Sequence, residues 1–427
     1  MTALRQYLVV WGLPGARTLW IVGILARLGI GMTPLALLLL VQNATGRYAA
    51  AGLAGAVYAI AGAALSPFAG RLADRAGSRP VLIVTAVLHP LALAGLLVAC
   101  RGGGDALPLI VVASGVAGAT FPPATAAIRR AWTDMTEVGS GQHELRQAAL
   151  AAETSLFELV FVLGPTLVSA FIVVTGGPAA AIVAAGTATL IGTLLIARLP
   201  VMRRGHKRGS GDQTRGLGPL RTRGFPALLA CVFALGIAFG AGGVVVPAYA
   251  EQIGGGDSLG GILLGIWGLG SAIGGFWFGT RRPAMALPKQ FAGLLALVGV
   301  SFAGLAVLSL WSNPVALGFA MVIAGTTIAP ALTVENNLVG RIAPASMLNE
   351  AFTWIVTVSV AGSAAGGALS GVIVDLPGGL PWAFVMAAVS LFVGAAIAGF
   401  PAGPMARADE RAAARLREAL GQEEAVA

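Results

Sequence analysis

GRLADRAGSRP, residues 70–80, sets three arginines and an aspartate between two long apolar runs. The chain around it has 427 residues, 57% of them hydrophobic and only 11% charged. The flanking runs, 48–70 and 80–100, each hold about 20 residues, enough to cross roughly 30 Å of hydrocarbon as a helix. Outward in both directions the same unit recurs: an apolar run, a short polar break, another apolar run. A mean hydropathy of +0.85 excludes an ordinary soluble protein, whose surface would have to be mostly apolar. A bilayer admits helices or a closed barrel, because backbone polar groups must be satisfied internally. Stretches such as LALLLLV (35–41) and AAIVAAGTATLIGTLLIA (180–197) show no two-residue alternation, so the expectation is an all-α polytopic membrane protein.

Twelve transmembrane helices are expected, at 17–42, 48–70, 80–100, 106–128, 148–175, 178–198, 224–250, 258–280, 288–310, 314–339, 350–375 and 380–402. The first starts too late and runs too long for a cleaved signal peptide. With the N-terminus placed in the cytoplasm, 24 of the 27 basic residues fall on that side; Arg47 and Arg101 fall outside and Arg27 lies within a span. This asymmetry predicts both termini cytoplasmic, in a multi-pass protein of the cell (plasma) membrane. It also accounts for a pI near 10.7 as an orientation signal and an attraction to anionic lipid rather than nucleic-acid binding. RRGHKRGSGDQTRGLGPLRTRG (203–224) reads as a flexible basic linker. The predicted organisation is a six-helix bundle over 1–199, a linker over 200–223, a second six-helix bundle over 224–403 and a tail over 404–427.

Enzyme chemistry is not expected. Cys100 and Cys231 are isolated, the three histidines lack ligand spacing, and no Walker loop or nucleophile–base constellation occurs. No cofactor or metal is implied.

The opening stretch carries a resemblance. Gly70-Arg71-Leu72-Ala73-Asp74-Arg75-Ala76-Gly77-Ser78-Arg79 resembles the signature loop of the major facilitator superfamily, G-x-L-A-D-R-x-G-x-R/K, in its usual place between spans 2 and 3 of twelve. The resemblance implies two pseudo-repeated six-helix bundles that rock around a central cavity. It also implies a cytoplasmic gating loop made by Gly70, Asp74, Arg75, Gly77 and Arg79. Asp74 would accept hydrogen bonds from arginines or from the amides that start helix 11, where Asn349 reads as an N-cap and Glu350 adds a like charge. The equivalent segment of the second half, GTRRPAMALP (279–288), has no acid. FVLGPTLVSA, with Gly164-Pro165, resembles the span 5 motif of the family's exporters. With ILARLGIGM, LFELVFVLGP and EAFTWIV it is similar to a group of actinobacterial members labelled drug or sugar exporters.

Charges within spans are costly and mark mechanism. Arg27 lies on a small-residue stripe with Gly23 and Gly31, facing protein. Glu158 in span 5 matches its depth and is the expected partner, the carrier of the coupling proton with Arg27 setting its affinity. Glu153 lies five residues earlier, about 140° round the helix, so at most one of the two acids points at Arg27. Such a pair is either a static bridge or a proton carrier. Glu335, beside Asn336 and Asn337, is the other proton-coupling candidate, and otherwise a solvated helix end. His89 reads as a packing residue. Gln42, Phe157, Tyr249, Trp267 and Trp354 are candidate lining residues for a substrate cavity. No cluster of acids or arginines specifies a charged substrate, which favours a neutral or cationic amphiphile. The tail ARADERAAARLREALGQEEAVA (406–427) reads as a short helix on the membrane surface.

The sequence therefore predicts a monomeric, proton-coupled exporter of small organic molecules, with a small-molecule substrate, protons and the lipid bilayer as partners and no nucleic acid. The alternatives are a nutrient importer or facilitator, for a sugar for example, in the same fold, and a membrane sensor that no longer transports.

Overall fold

The computed structural model describes residue 12 and residues 15–135, 146–203, 218–279, 285–344 and 347–414. Among these no strand occurs. The helices are α1 (Ala16–Thr45), α2 (Tyr48–Ala76), α3 (Ser78–Cys100), α4 (Leu107–Ala119), α5 (Ala124–Met135), α6 (Arg146–Thr175), α7 (Ala179–Arg198), α8 (Phe225–Gln252), α9 (Gly256–Gly279), α10 (Leu287–Leu308), α11 (Pro314–Gly325), α12 (Ile328–Ile342), α13 (Leu348–Val374) and α14 (Gly379–Gly399). A last helix covers 404–414. Eleven helical segments are long and apolar enough to cross a membrane, α4–α5 and α11–α12 each counting as one, and Leu159–Thr175 of α6 supplies a further apolar segment. The chain is a multi-pass membrane protein, with eleven such spans and one shorter apolar segment among the described residues.

GRLADRAGSRP is less of a loop than its composition suggests. Gly70–Ala76 is the last part of α2, and Ser78–Pro80 opens α3. The whole reversal is Gly77, at φ 89° and ψ 153°, a conformation essentially closed to residues with a Cβ. Pro80 is tolerated because the N–H groups of a first turn have no helical partner.

Two spans expected to be continuous are broken, each the fourth of its half. In span 4, Thr120–Pro123 separates α4 from α5. Pro122 and Pro123 have no N–H to return to Gly118 and Ala119. The Phe121 N–H turns to Gly118 O at 3.1 Å, which frees Ala117 O. That carbonyl accepts instead from His89 Nδ1 at 2.9 Å; the Thr120 hydroxyl lies 3.2 Å from it but is closer to Val116 O, at 2.8 Å. In span 10, Thr326–Thr327 separates α11 from α12. Their hydroxyls donate to Ile323 O at 2.7 Å and Ala324 O at 2.9 Å.

The described chain forms two compact units. The first comprises 1–210 with 250–265; the second comprises 211–249 with 266–427. In the first unit α1 crosses α6 on glycine: a Cβ on Gly164 would lie 2.3 Å from Gly31 C. In the second unit α8 crosses α13 in the same way: a Cβ on Gly240 would lie 1.9 Å from Ser363 O. These are spans 1 with 5 and 7 with 11, so both halves use small residues at the same crossing, where backbones can approach closely without polar groups.

Two expectations change. Asn349 is not the cap of α13: the helix starts at Leu348 with Met347 at the N-cap position, so Asn349 already lies in the first turn. The 404–414 part of the tail also packs on the protein itself. Met405 is fully buried and Asp409 nearly so, against the second unit.

Candidate functional site

Among its described residues the first unit buries an ion pair. Arg27 on α1 and Glu153 on α6 are 1% and 2% exposed, and Arg27 Nη2 donates to Glu153 Oε1. The other carboxylate oxygen accepts from Trp132 Nε1 at 3.3 Å, from α5. The Arg27 guanidinium also lies 5.3 Å from the centroid of the Phe157 ring, within reach of a cation–π contact. Trp132 packs on Trp20 with ring centroids 5.3 Å apart. Around them a buried apolar cluster gathers Leu19, Leu82, Ile128 and Ile196. The pair is thus sealed by the half-helix that follows the span 4 break. Arg27 Nε has no hydrogen-bond partner.

Among the described residues the acid on Arg27 is therefore Glu153 and not the expected Glu158, because α5 brings Trp132 to its second oxygen. The side chain of Glu158 lies outside the described residues, as do those of Asp74 and Asn349. The rest of the motif is placed: Arg75 and Arg79 are exposed, and Gly70 has open space around it. Arg71 lies 4.8 Å from the Phe68 ring centroid. Residues 280–284 of the second-half counterpart lie outside the described residues.

Gly164-Pro165 sits at a double crossing. Gly164 meets Gly31, and a Cβ on Gly261 of α9 would lie 2.7 Å from Pro165 O and 2.1 Å from Ser169 Oγ, all within the first unit. The motif is therefore a place where three helices pack closely.

The cavity candidates fall into different settings. Gln42 is buried, and its Nε2 donates to Glu251 at 2.9 and 3.0 Å. Tyr48 Oη donates to the same carboxylate at 2.6 Å, and Asn43 Nδ2 donates to Asp257 at 2.8 Å. Phe157 faces Arg27 and, at 5.3 Å, Phe161. Tyr249 is fully buried and donates to Trp311 O at 3.0 Å. Trp267 is half-buried and packs edge-on to Phe239 and Phe302. Trp354 is half-buried.

In the second unit Glu335 on α12 is 4% exposed, and its Oε2 has no hydrogen-bond partner. It is thus a buried carboxyl rather than a solvated helix end. Asn336 is exposed and donates to Leu332 O at 2.8 Å. Farther along α12, Arg341 Nε lies 2.8 Å from Asp409 Oδ1. The contact joins opposite charges without the alignment of a hydrogen bond.

Sequence reading missed Glu251, Asp409 and the role of His89. Glu251 and Asp409 stand at span ends or beyond them, where an acid is inexpensive, and no spacing rule joins Tyr48 to Glu251. For His89 a signal existed: Pro122-Pro123 must orphan carbonyls, and a buried donor nearby is what they require.

The family profile described as Major Facilitator Superfamily matches residues 19–359. No curated protein sequence matches. Among solved structures, a mutant of the peptide transporter POT in complex with alafosfalin is similar at TM-score 0.69 and 16% identity, over 96% of this chain and 99% of that one. A bacterial homologue of the iron transporter ferroportin, in an inward-facing state, gives TM-score 0.66 and 15% identity over 93% and 98%. A mutant of the nucleoside transporter NupG gives 0.68 and 15% over 88% and 97%. At such identities the likeness is one of fold.

Proposed function

This chain belongs to the major facilitator superfamily, and from that premise we propose that it is a proton-coupled exporter of small organic molecules, working by alternating access with both termini in the cytoplasm. The observation that carries the coupling is the buried Arg27–Glu153 pair. A buried pair is costly to desolvate and is retained where it does more than hold packing. In this reading a proton from outside binds a Glu153 carboxylate oxygen and breaks the ion pair. Arg27 then holds its charge against Phe157 alone. Return of Arg27 to Glu153 expels the proton on the cytoplasmic side. Trp132 reports the state of the pair to α5, the half-helix that moves about the span 4 break. Glu335 is the second protonable group. The export direction rests on the exporter-type Gly164-Pro165 motif, and a neutral or cationic amphiphile is the substrate class that an apolar interior with few charges accommodates.

The test uses proteoliposomes and a panel of neutral, cationic and anionic compounds under pH gradients of either sign. An acid lumen should drive accumulation of a neutral or cationic compound, because antiport moves substrate against the proton whatever the orientation of the protein. Glu153→Gln should abolish accumulation while leaving substrate binding intact, and Asp74→Asn should slow it by about tenfold through loss of charge-assisted hydrogen bonds in the gating segment. Accumulation driven by an acid exterior would establish symport and an importer. Uphill transport by Glu153→Gln would remove the pair from the coupling step and make Glu158 and Glu335 the next substitutions.

A further inference from the structure

The last described helix, 404–414, is built to hold something. Its buried positions are 405 and 409, with 408 and 412 half-buried, so one face carries Met405, Ala408, Asp409 and Ala412. Arg407, Glu410 and Arg411 lie on the exposed face. The buried face is seated on the start of α8: a Cβ on Gly224 would lie 2.7 Å from Ala408 Cβ and 2.8 Å from Pro404 O. A seat this close needs a residue without a side chain. The one charge on that face, Asp409, is 6% exposed and meets Arg341 in the last turn of α12.

α12 is a short lever. One end is the Thr326–Thr327 break and the other is Arg341, with the buried Glu335 between them. A half-helix with a break at one end can swing only if its other end is free. We propose that helix 404–414 is an autoregulatory clamp that grips the free end of α12 through Asp409 and Arg341 and so restrains the half-helix that bears Glu335. The clamp rests on the transport reading above for its consequence, but not for its existence.

Burial pushes the Asp409 carboxyl above its usual range and the Arg341 guanidinium opposes this, so the docked carboxylate depends on Arg341 for its counter-charge.

The test is hydrogen–deuterium exchange of the full-length protein in lipid nanodiscs at pH 7.5, with turnover measured in parallel. In the wild type, 404–414 and 336–342 should both be protected. Arg341→Ala leaves the buried Asp409 without its counter-charge. At pH 7.5 it should speed exchange in both segments by about tenfold and raise turnover several-fold. Asp409→Asn keeps the shape and removes the charge that meets Arg341, so exchange in both segments should quicken there too. Unchanged exchange at 404–414 in Arg341→Ala would show that the ion pair does not hold the tail. Faster exchange there with none at 336–342 would show a tail that is packed but clamps nothing. If both segments loosen and turnover does not rise, the clamp holds α12 but does not regulate transport, and the autoregulatory role is overturned. Absence of transport from every variant would overturn the transport reading, while the exchange at 336–342 still decides the clamp.

Discussion

The fate of a single carboxylate separates what the sequence discloses from what it hides. Two acids in span 5 compete for Arg27 by depth and rotation alone, and helical periodicity limits the choice to one of them. Glu153 is the partner because α5 brings Trp132 to its second oxygen at 3.3 Å, and nothing in the spacing of span 5 encodes that donor. Glu335 is the converse: adjacent asparagines suggest a wet helix end, yet α12 turns the acid inward and leaves Oε2 without a partner. If the Arg27–Glu153 pair is a coupled buried unit, its single and double replacements are strongly non-additive. Arg27→Met and Glu153→Met should each lower stability by about 3–5 kcal/mol, since each strands a charge, while the double variant recovers much of that loss. Thermal melts in detergent read this directly. Additive losses would mean that the two side chains act independently.

At the scale of elements, composition locates the twelve spans but not their interruptions. Hydropathy counts side chains, and it is blind to a missing N–H in an otherwise apolar run. The two spans that break, 4 and 10, contain Pro122-Pro123 and Thr326-Thr327-Ile328-Ala329-Pro330. Their breaks are legible only when each backbone donor is traced to its acceptor. The signature segment errs in the other direction: its charge suggests a loop, and it is two helix ends joined at Gly77. His89 belongs to this scale because it repairs an element. His89→Phe keeps the ring but leaves Ala117 O with only the Thr120 hydroxyl, which is closer to Val116 O, and should cost about 1–3 kcal/mol. His89→Asn, which retains a donor near Nδ1, should recover part of it. A smaller loss in His89→Phe than in His89→Asn, measured by thermal unfolding, would show that the ring's packing on Phe121 rather than its hydrogen bond supports the break.

For the whole molecule, the sequence supports the family and the count of spans, while the working parts come from contacts between distant positions: Arg27 with Glu153, Gln42 and Tyr48 with Glu251, Arg341 with Asp409. Each half repeats the same plan, glycine crossings between its first and fifth spans and a broken fourth span, and in each the half-helix after the break bears on a buried acid. In the central claim, that acid in the first half exchanges a proton for the movement of substrate. The most direct measurement is proton counterflow: a pH-sensitive dye inside proteoliposomes, with no imposed gradient, on addition of a transported substrate to the exterior. If Glu153 carries the proton, the lumen turns alkaline as substrate enters and protons leave, and Glu153→Gln, in vesicles preloaded with substrate, exchanges it with no pH change. A lumen that stays neutral while the unmodified protein transports, or a full pH response from Glu153→Gln, would contradict the central claim.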